Sequence, residues 1–66
     1  MDVGTKIKEL RENAGLTQES LAKKLMIARS TLACYEINKN QVPNELLVKI
    51  AKHFKISTDF LLGLED

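Results

Sequence analysis

The sequence predicts an all-α domain of five short helices, and three observations carry that prediction. Apolar residues recur at intervals of three and four along nearly the whole chain, the spacing that lines one face of an α-helix. No run of Val, Ile or Thr alternates with polar residues over a strand's length, as a half-buried β-strand would require. Ser, Thr, Gly and Pro fall between the periodic segments, where helices start and stop.

Taken in order, Val3, Ile7, Leu10 and Ala14 give a first helix over about residues 4–14, with charged residues on its other faces. Gly15 then ends it, because glycine takes the left-handed backbone at little steric cost. Thr17 opens a second helix: its hydroxyl can cap free amides, Ser20 lies three residues on, and Glu19 meets the positive end of the helix dipole. Leu21, Ala22 and Leu25 form its apolar stripe. After Leu25 the phase breaks. Ile27 is out of register and the next apolar pair is Leu32 with Tyr35, so the chain changes direction near residues 26–28. A third helix follows over about residues 29–37. Residues 38–43, NKNQVP, read as a loop. Pro43, Asn44 and Glu45 start a fourth helix carrying Leu46, Leu47, Ile50, Ala51 and Phe54. Ser57 caps a fifth through about residue 62, with Asp59 in its first turn and Gly63 ending it.

Length and composition bound the function. A chain of 66 residues forms one small domain, burying only about 60% of the surface its unfolded chain exposes. Hydrophobic residues at 44% and charged residues at 29% are a globular mixture, not a disordered one. The one cysteine, Cys34, can form no internal disulfide and has no Cys or His partner at metal-ligand spacing, so no metal or cofactor is expected. No apolar run approaches the roughly 20 residues of a membrane span, and the opening MDVGTKIKELRE is charged throughout, unlike a signal peptide. A soluble cytoplasmic protein is expected. Net charge is only +1, but its distribution is uneven: residues 23–39 carry Lys23, Lys24, Arg29 and Lys39 against Glu36, whereas the last eight residues hold Asp59, Glu65 and Asp66 and no base. Such a basic middle suits either a solvated helix surface or a polyanion partner.

The second and third helices, with a connection of about three residues, have the layout of a helix-turn-helix unit over about residues 17–37. Counting from Gln18, such a DNA-binding unit wants apolar residues fourth, eighth, tenth, fifteenth and eighteenth, and a small residue fifth where the helices cross. The sequence supplies Leu21, Leu25, Ile27, Leu32 and Tyr35, with Ala22 at the crossing. The ninth position, normally a glycine with positive φ, is Met26. Either Met26 adopts that backbone at a cost of about 1 kcal/mol or more, or the turn differs.

GLTQESLAKKL followed by ARSTLACYE, then P-x-x-x-L-L-x-K-I-A-K and ISTDFLLG, resembles the Cro and phage-repressor (Xre-like) family of helix-turn-helix DNA-binding domains over nearly the whole chain. The resemblance implies a λ-repressor-like five-helix bundle whose third helix lies in the major groove while the second crosses the phosphates. It implies a small prokaryotic or phage transcriptional regulator, in particular a repressor, bound as a homodimer to a palindromic operator with half-sites about 34 Å apart.

With Leu32 and Tyr35 inward, the outward face of the third helix carries Arg29, Ser30, Ala33, Cys34 and Ile37, with Ala28 at its start. Ala28 offers only its methyl or its backbone. Arg29 is the foremost base-contact candidate, because its planar fork matches guanine O6 and N7. A phosphate contact or a solvated arginine is the alternative. Ser30 can donate to a base or a phosphate. Cys34 would either pack on a thymine methyl, fill space as a small hydrophobe, or sense redox change, the last requiring a lowered pKa. Thr17 and Gln18, beside free amides, are the first phosphate candidates; Thr17 also caps, and Gln18 has the weaker alternative of bracing Arg29. Lys39 and Asn40 are the second phosphate pair. Arg11 and Glu36 stand where the family has a salt bridge beneath the surface. Phe60, Leu61, Leu62 and Leu64 are the dimer candidates, supplying more apolar area than a short terminal helix buries, with core packing as the alternative for Phe60 and Leu61.

Two other functional classes compete. A DNA-binding antitoxin or adaptor whose main partner is a protein would show an unpaired apolar patch away from the third helix. An enzyme has no support: there is no paired carboxylate, no Gly-rich phosphate loop, and His53 stands on the fourth helix without Cys or Asp partners. Nothing in the sequence marks a small-molecule site.

Overall fold

Side-chain caps open three of the five helices. In the computed structural model, which describes residues 2–64, the helices are α1 (Val3–Asn13), α2 (Gln18–Leu25), α3 (Arg29–Glu36), α4 (Asn44–Phe54) and α5 (Thr58–Leu61), with no strand among the described residues. Glu65 and Asp66, two of the acids of the expected acidic tail, lie outside the described residues. The Asp2 carboxylate accepts the Thr5 N–H at 2.8 Å and caps α1. Thr17 and Ser20 cap α2 reciprocally, each hydroxyl accepting the other's backbone N–H at 3.0 Å. Ser57 accepts the Phe60 N–H at 3.0 Å and opens α5. α3 and α4 start without a side-chain cap, from extended backbone at Ala28 and Pro43. Pro43 thus stands just outside α4, not in its first turn, and its carbonyl accepts from Leu46 and Leu47.

All five helices end the same way. Gly15, Met26, Asn38, Lys55 and Gly63 have positive φ, from 59° to 77°. In each case the N–H of that residue reaches the carbonyl three residues back, and the next N–H reaches five positions back, as in Met26 to Lys23 and Ile27 to Ala22. This is the Schellman closure, which satisfies carbonyls that a helix end would otherwise leave free. Met26 therefore takes the glycine-like backbone, at φ 60° and ψ 42°, with its side chain 81% exposed.

The apolar stripes meet in one core. Ile7 of α1, Leu21 and Leu25 of α2, Leu32 of α3, Ile50 of α4 and Leu61 of α5 are fully buried, with Val3, Leu10, Leu16, Ile27, Phe54 and Ile56 packed around them. The start of α1 crosses the end of α3 so closely that a Cβ at Gly4 would collide with the Tyr35 carbonyl oxygen and lie 2.7 Å from Asn38 Oδ1. Asn38 Oδ1 also accepts the Gly4 N–H at 3.1 Å, so one left-handed residue both ends α3 and ties it to α1. Lys49 of α4 donates from Nζ to the Leu25 carbonyl at 2.8 Å, joining α4 to the end of α2.

Candidate nucleic-acid interface

α2 and α3 pack through Leu21, Ala22, Leu25, Leu32 and Tyr35, all buried, and the left-handed Met26 turns the chain between them. That burial fixes which face of α3 looks outward. Ala28, Arg29 and Ser30 are exposed at its start, Ala33 and Cys34 are half-buried along it, and Ile37 is exposed just past its end. Thr17 is exposed and Gln18 half-buried at the start of α2; Lys39 and Asn40 are exposed in the loop after α3. The Thr17 hydroxyl already serves the cap, accepting from Ser20.

Beneath this surface runs a chain of polar side chains. Glu36 is 4% exposed, the one buried charged residue among those described, and its carboxylate is held on both oxygens. Arg11 donates from Nε to Oε2 at 2.7 Å and from Nη2 to Oε1 at 3.2 Å, so the expected ion pair is formed and lies below the surface, with the Arg11 side chain 11% exposed. A forked arginine–carboxylate pair is the strong form of this contact. Arg11 Nη1 also donates to the Leu16 carbonyl at 2.8 Å, binding α1, the α1–α2 connection and the end of α3 into one unit. Hydrogen bonding to Glu36 raises the Arg11 guanidinium above its ordinary pKa despite the opposing effect of burial, which keeps the cation charged throughout.

Gln18 extends the chain outward. Its Nε2 donates to Glu36 Oε1 at 3.0 Å, and its Oε1 accepts from Arg29 Nη1 at 3.2 Å. The bracing of Arg29, the weaker sequence alternative for Gln18, is thus formed. No buried side-chain nitrogen or oxygen among the described residues lacks a partner, so the polar chain avoids the penalty of an unpaired buried group. Chemically the outer face offers a fixed guanidinium, a hydroxyl and small apolar groups, flanked by amides and a lysine: donors suited to base edges and phosphate oxygens.

At the C-terminus the dimer candidates separate. Leu61 is 1% exposed and fills the core, so it is withdrawn as a surface residue; the sequence could not phase a helix as short as α5. Phe60 is half-buried with Lys6 Nζ 4.3 Å from its ring centroid. Leu62 and Leu64 are exposed, Leu64 at 73%.

Residues that the sequence reading passed over are the Asp2 cap, the Leu16 carbonyl and Asn38. An Asn directly after an apolar helix pattern is a known left-handed stop and could have flagged Asn38; the partner of Arg11 at Leu16 leaves no sequence signal. Among the described residues no group of three or more His, Cys, Asp or Glu could hold a metal ion, and no helix is long and apolar enough to cross a membrane. Exposed His53 packs edge-on against Phe54, ring centroids 4.8 Å apart.

Comparison with known proteins agrees with this architecture. A family model described as helix-turn-helix matches residues 7–61. The HTH-type transcriptional regulator ImmR of Bacillus subtilis (strain 168) is 36% identical over 66 residues, all of this chain and 52% of that protein; the chain therefore spans about half the length of that relative. A crystal structure of SinR, described as the master regulator for biofilm formation, in complex with DNA, superposes with a TM-score of 0.79 at 30% identity, covering 89% of this chain and 95% of that one. The P22 c2 repressor crystallised with a synthetic operator superposes with a TM-score of 0.89, covering 98% of each chain, at 22% identity, a likeness of fold. By its motif, its five-helix architecture and these relatives, the chain belongs to the helix-turn-helix family, in its Cro and phage-repressor (Xre-like) branch.

Proposed function

We propose that the chain is the DNA-reading domain of a transcriptional regulator, binding double-stranded DNA sequence-specifically with α3 in the major groove. The observation that carries this reading is Arg29: exposed at the start of α3, yet held by Gln18, it is a donor fork presented in a fixed place where the family sets its recognition helix. Its counterpart in the duplex is a guanine, whose O6 and N7 accept two parallel bonds. Ser30 and the backbone of Ala28 lie beside it, and Ala33 and Cys34 supply small apolar contact further along. Thr17, Gln18, Lys39 and Asn40 hold phosphates on either side. These contacts fix the register of the helix while the bases carry the sequence information.

One domain of this size covers one half-site, so two copies are required to read a palindrome. The exposed Leu62 and Leu64, with the edge of Phe60, are the apolar surface through which they pair. Repression by occupying an operator, in the cytoplasm and without a cofactor, is the form of regulation this arrangement suits. Selection from a pool of random duplexes tests the proposal. The expected outcome is an inverted repeat whose half-site centres lie about one helical turn, roughly 34 Å, apart. Selection that enriches no duplex, or that enriches a protein-dependent signal independent of duplex sequence, overturns it.

A further inference from the structure

Glu36 and Arg11 do not reach the outer face of α3, yet the chain of bonds through Gln18 connects them to the side chain that does. Resting on the DNA-binding reading above, we propose that Arg11 and Glu36 are specificity-positioning residues: through Gln18 they impose the direction of the hydrogen bond that orients Arg29, and so set the base preference of that arginine.

The argument is one of donors and acceptors. An ionised carboxylate only accepts, a guanidinium only donates, and a glutamine amide has one end of each kind. Glu36 Oε1 therefore takes the amino end of Gln18, at 3.0 Å, and the carbonyl end is left facing Arg29 Nη1, at 3.2 Å. Rotating the amide by half a turn would place oxygen against carboxylate oxygen and amino group against guanidinium, two repulsive contacts in place of two attractive ones. The orientation of Gln18 is thus dictated from below. Glu36 can dictate it because Arg11 occupies both carboxylate oxygens, at 2.7 and 3.2 Å, and is itself fixed by the Leu16 carbonyl. With one corner of its guanidinium engaged, Arg29 presents its remaining donors from a defined plane, and a two-point contact with guanine depends on that plane. Arg29 is exposed and Gln18 only half-buried, so the orienting bond is the main restraint on a side chain that is otherwise free to rotate.

Two variants separate positioning from folding. Gln18→Met keeps length and removes both amide ends. Glu36→Gln keeps shape, but its amide, accepting from Arg11, offers a donor to Gln18, which must then turn its own amino end toward Arg29. In both variants, held at a temperature where circular dichroism shows the native helix content, the guanine preference at the Arg29 position is expected to fall by about tenfold, the low end for a hydrogen bond made by a charged group. Preference at other positions stays unchanged, and nuclear magnetic relaxation of the Arg29 Nε–H in the free protein reports a loss of order. In an Arg29→Ala background neither substitution alters the profile further. An unchanged profile at that position in both variants, while Arg29→Ala alone flattens it, overturns the positioning role and leaves the DNA reading standing. A profile that Arg29→Ala does not touch overturns the assignment of Arg29 and this proposal together.

Discussion

Replacing Met26 by glycine is expected to stabilise the domain, and the size of the gain follows from the backbone. At φ 60° and ψ 42°, an L-residue with a side chain bears roughly 1–2 kcal/mol of crowding between Cβ and the following carbonyl. Glycine removes that strain but adds about 0.4–1 kcal/mol of unfolded-state entropy to be lost on folding. Since the Met26 side chain is 81% exposed, truncation forfeits almost no packing. The midpoints of these ranges leave a net gain of about 0.8 kcal/mol, which for a domain this small corresponds to roughly 3–6 °C in Tm. Urea unfolding followed by circular dichroism measures it as a raised midpoint at unchanged slope. Lys55, at φ 59° and exposed, is the matching control and gains similarly as Lys55→Gly. Asn38→Gly must behave differently, because Asn tolerates the left-handed region and Oδ1 of Asn38 accepts the Gly4 N–H; it lowers the midpoint. A Met26→Gly variant no more stable than the parent would refute the reasoning, by showing that the turn relaxes without cost around the longer side chain.

Three further outcomes follow from the buried contacts. Glu36→Ala strips Arg11 of its buried charge partner, leaving only the exposed Glu12 carboxylate at 3.9 Å, and is expected to destabilise by about 3 kcal/mol or more, read by denaturation in a stabilising osmolyte; a loss under about 0.5 kcal/mol would mark the pair as an ordinary surface one. Gly4→Ala is expected to lower Tm although alanine is the better helix former, since its methyl has no room beside the Tyr35 carbonyl and Asn38 and overpacking costs about 1–3 kcal/mol; a raised Tm would show that α1 shifts freely. The Asp2 carboxyl is held below the usual carboxylate range by hydrogen bonds from the side chain and backbone of Thr5 and from Asn38. Its contribution is thus present above the unfolded value of about 3.9 and lost as pH falls through the lower folded value. The Tm difference between the parent and Asp2→Ala should shrink as pH is lowered through that window, and a difference constant down to the lowest pH would contradict the cap.

The helices were legible in the sequence because their causes are local. Apolar spacing matches the buried faces of α2 and α4 and, apart from Ala14, which is exposed just past the helix end, that of α1; Thr17, Ser20 and Ser57 mark starts that agree with the structure to within a residue or two. Helix ends are legible most directly where glycine stands. Gly15 and Gly63 announce a left-handed residue, whereas Lys55 carries no such mark and Met26 declared itself only through the spacing of the helix-turn-helix unit. The candidate site divides along the same line. Exposure of Arg29 and Ser30 and burial of Leu32 and Tyr35 follow from helical phase. The Arg11–Glu36 pair came from family resemblance, since twenty-five positions separate the two residues. Bracing of Arg29 is the weaker of the two roles the sequence offers Gln18, and only the packing of α2 against α3 shows that its amide spans the gap between Glu36 and Arg29. Leu61 and Leu62 could not be told apart because α5, at four residues, is too short to set a phase.

The most direct test of the central claim, that α3 reads duplex DNA through Arg29, is to compare duplexes selected by the parent with those selected by Arg29→Ala and Lys39→Ala. The account predicts that Arg29→Ala relaxes the preference for guanine at one position in each half-site, with a loss of about 1–3 kcal/mol against the parent's site. Lys39→Ala should instead weaken all duplexes alike and flatten the salt dependence by about one phosphate. Identical base preferences for the parent and Arg29→Ala would contradict it.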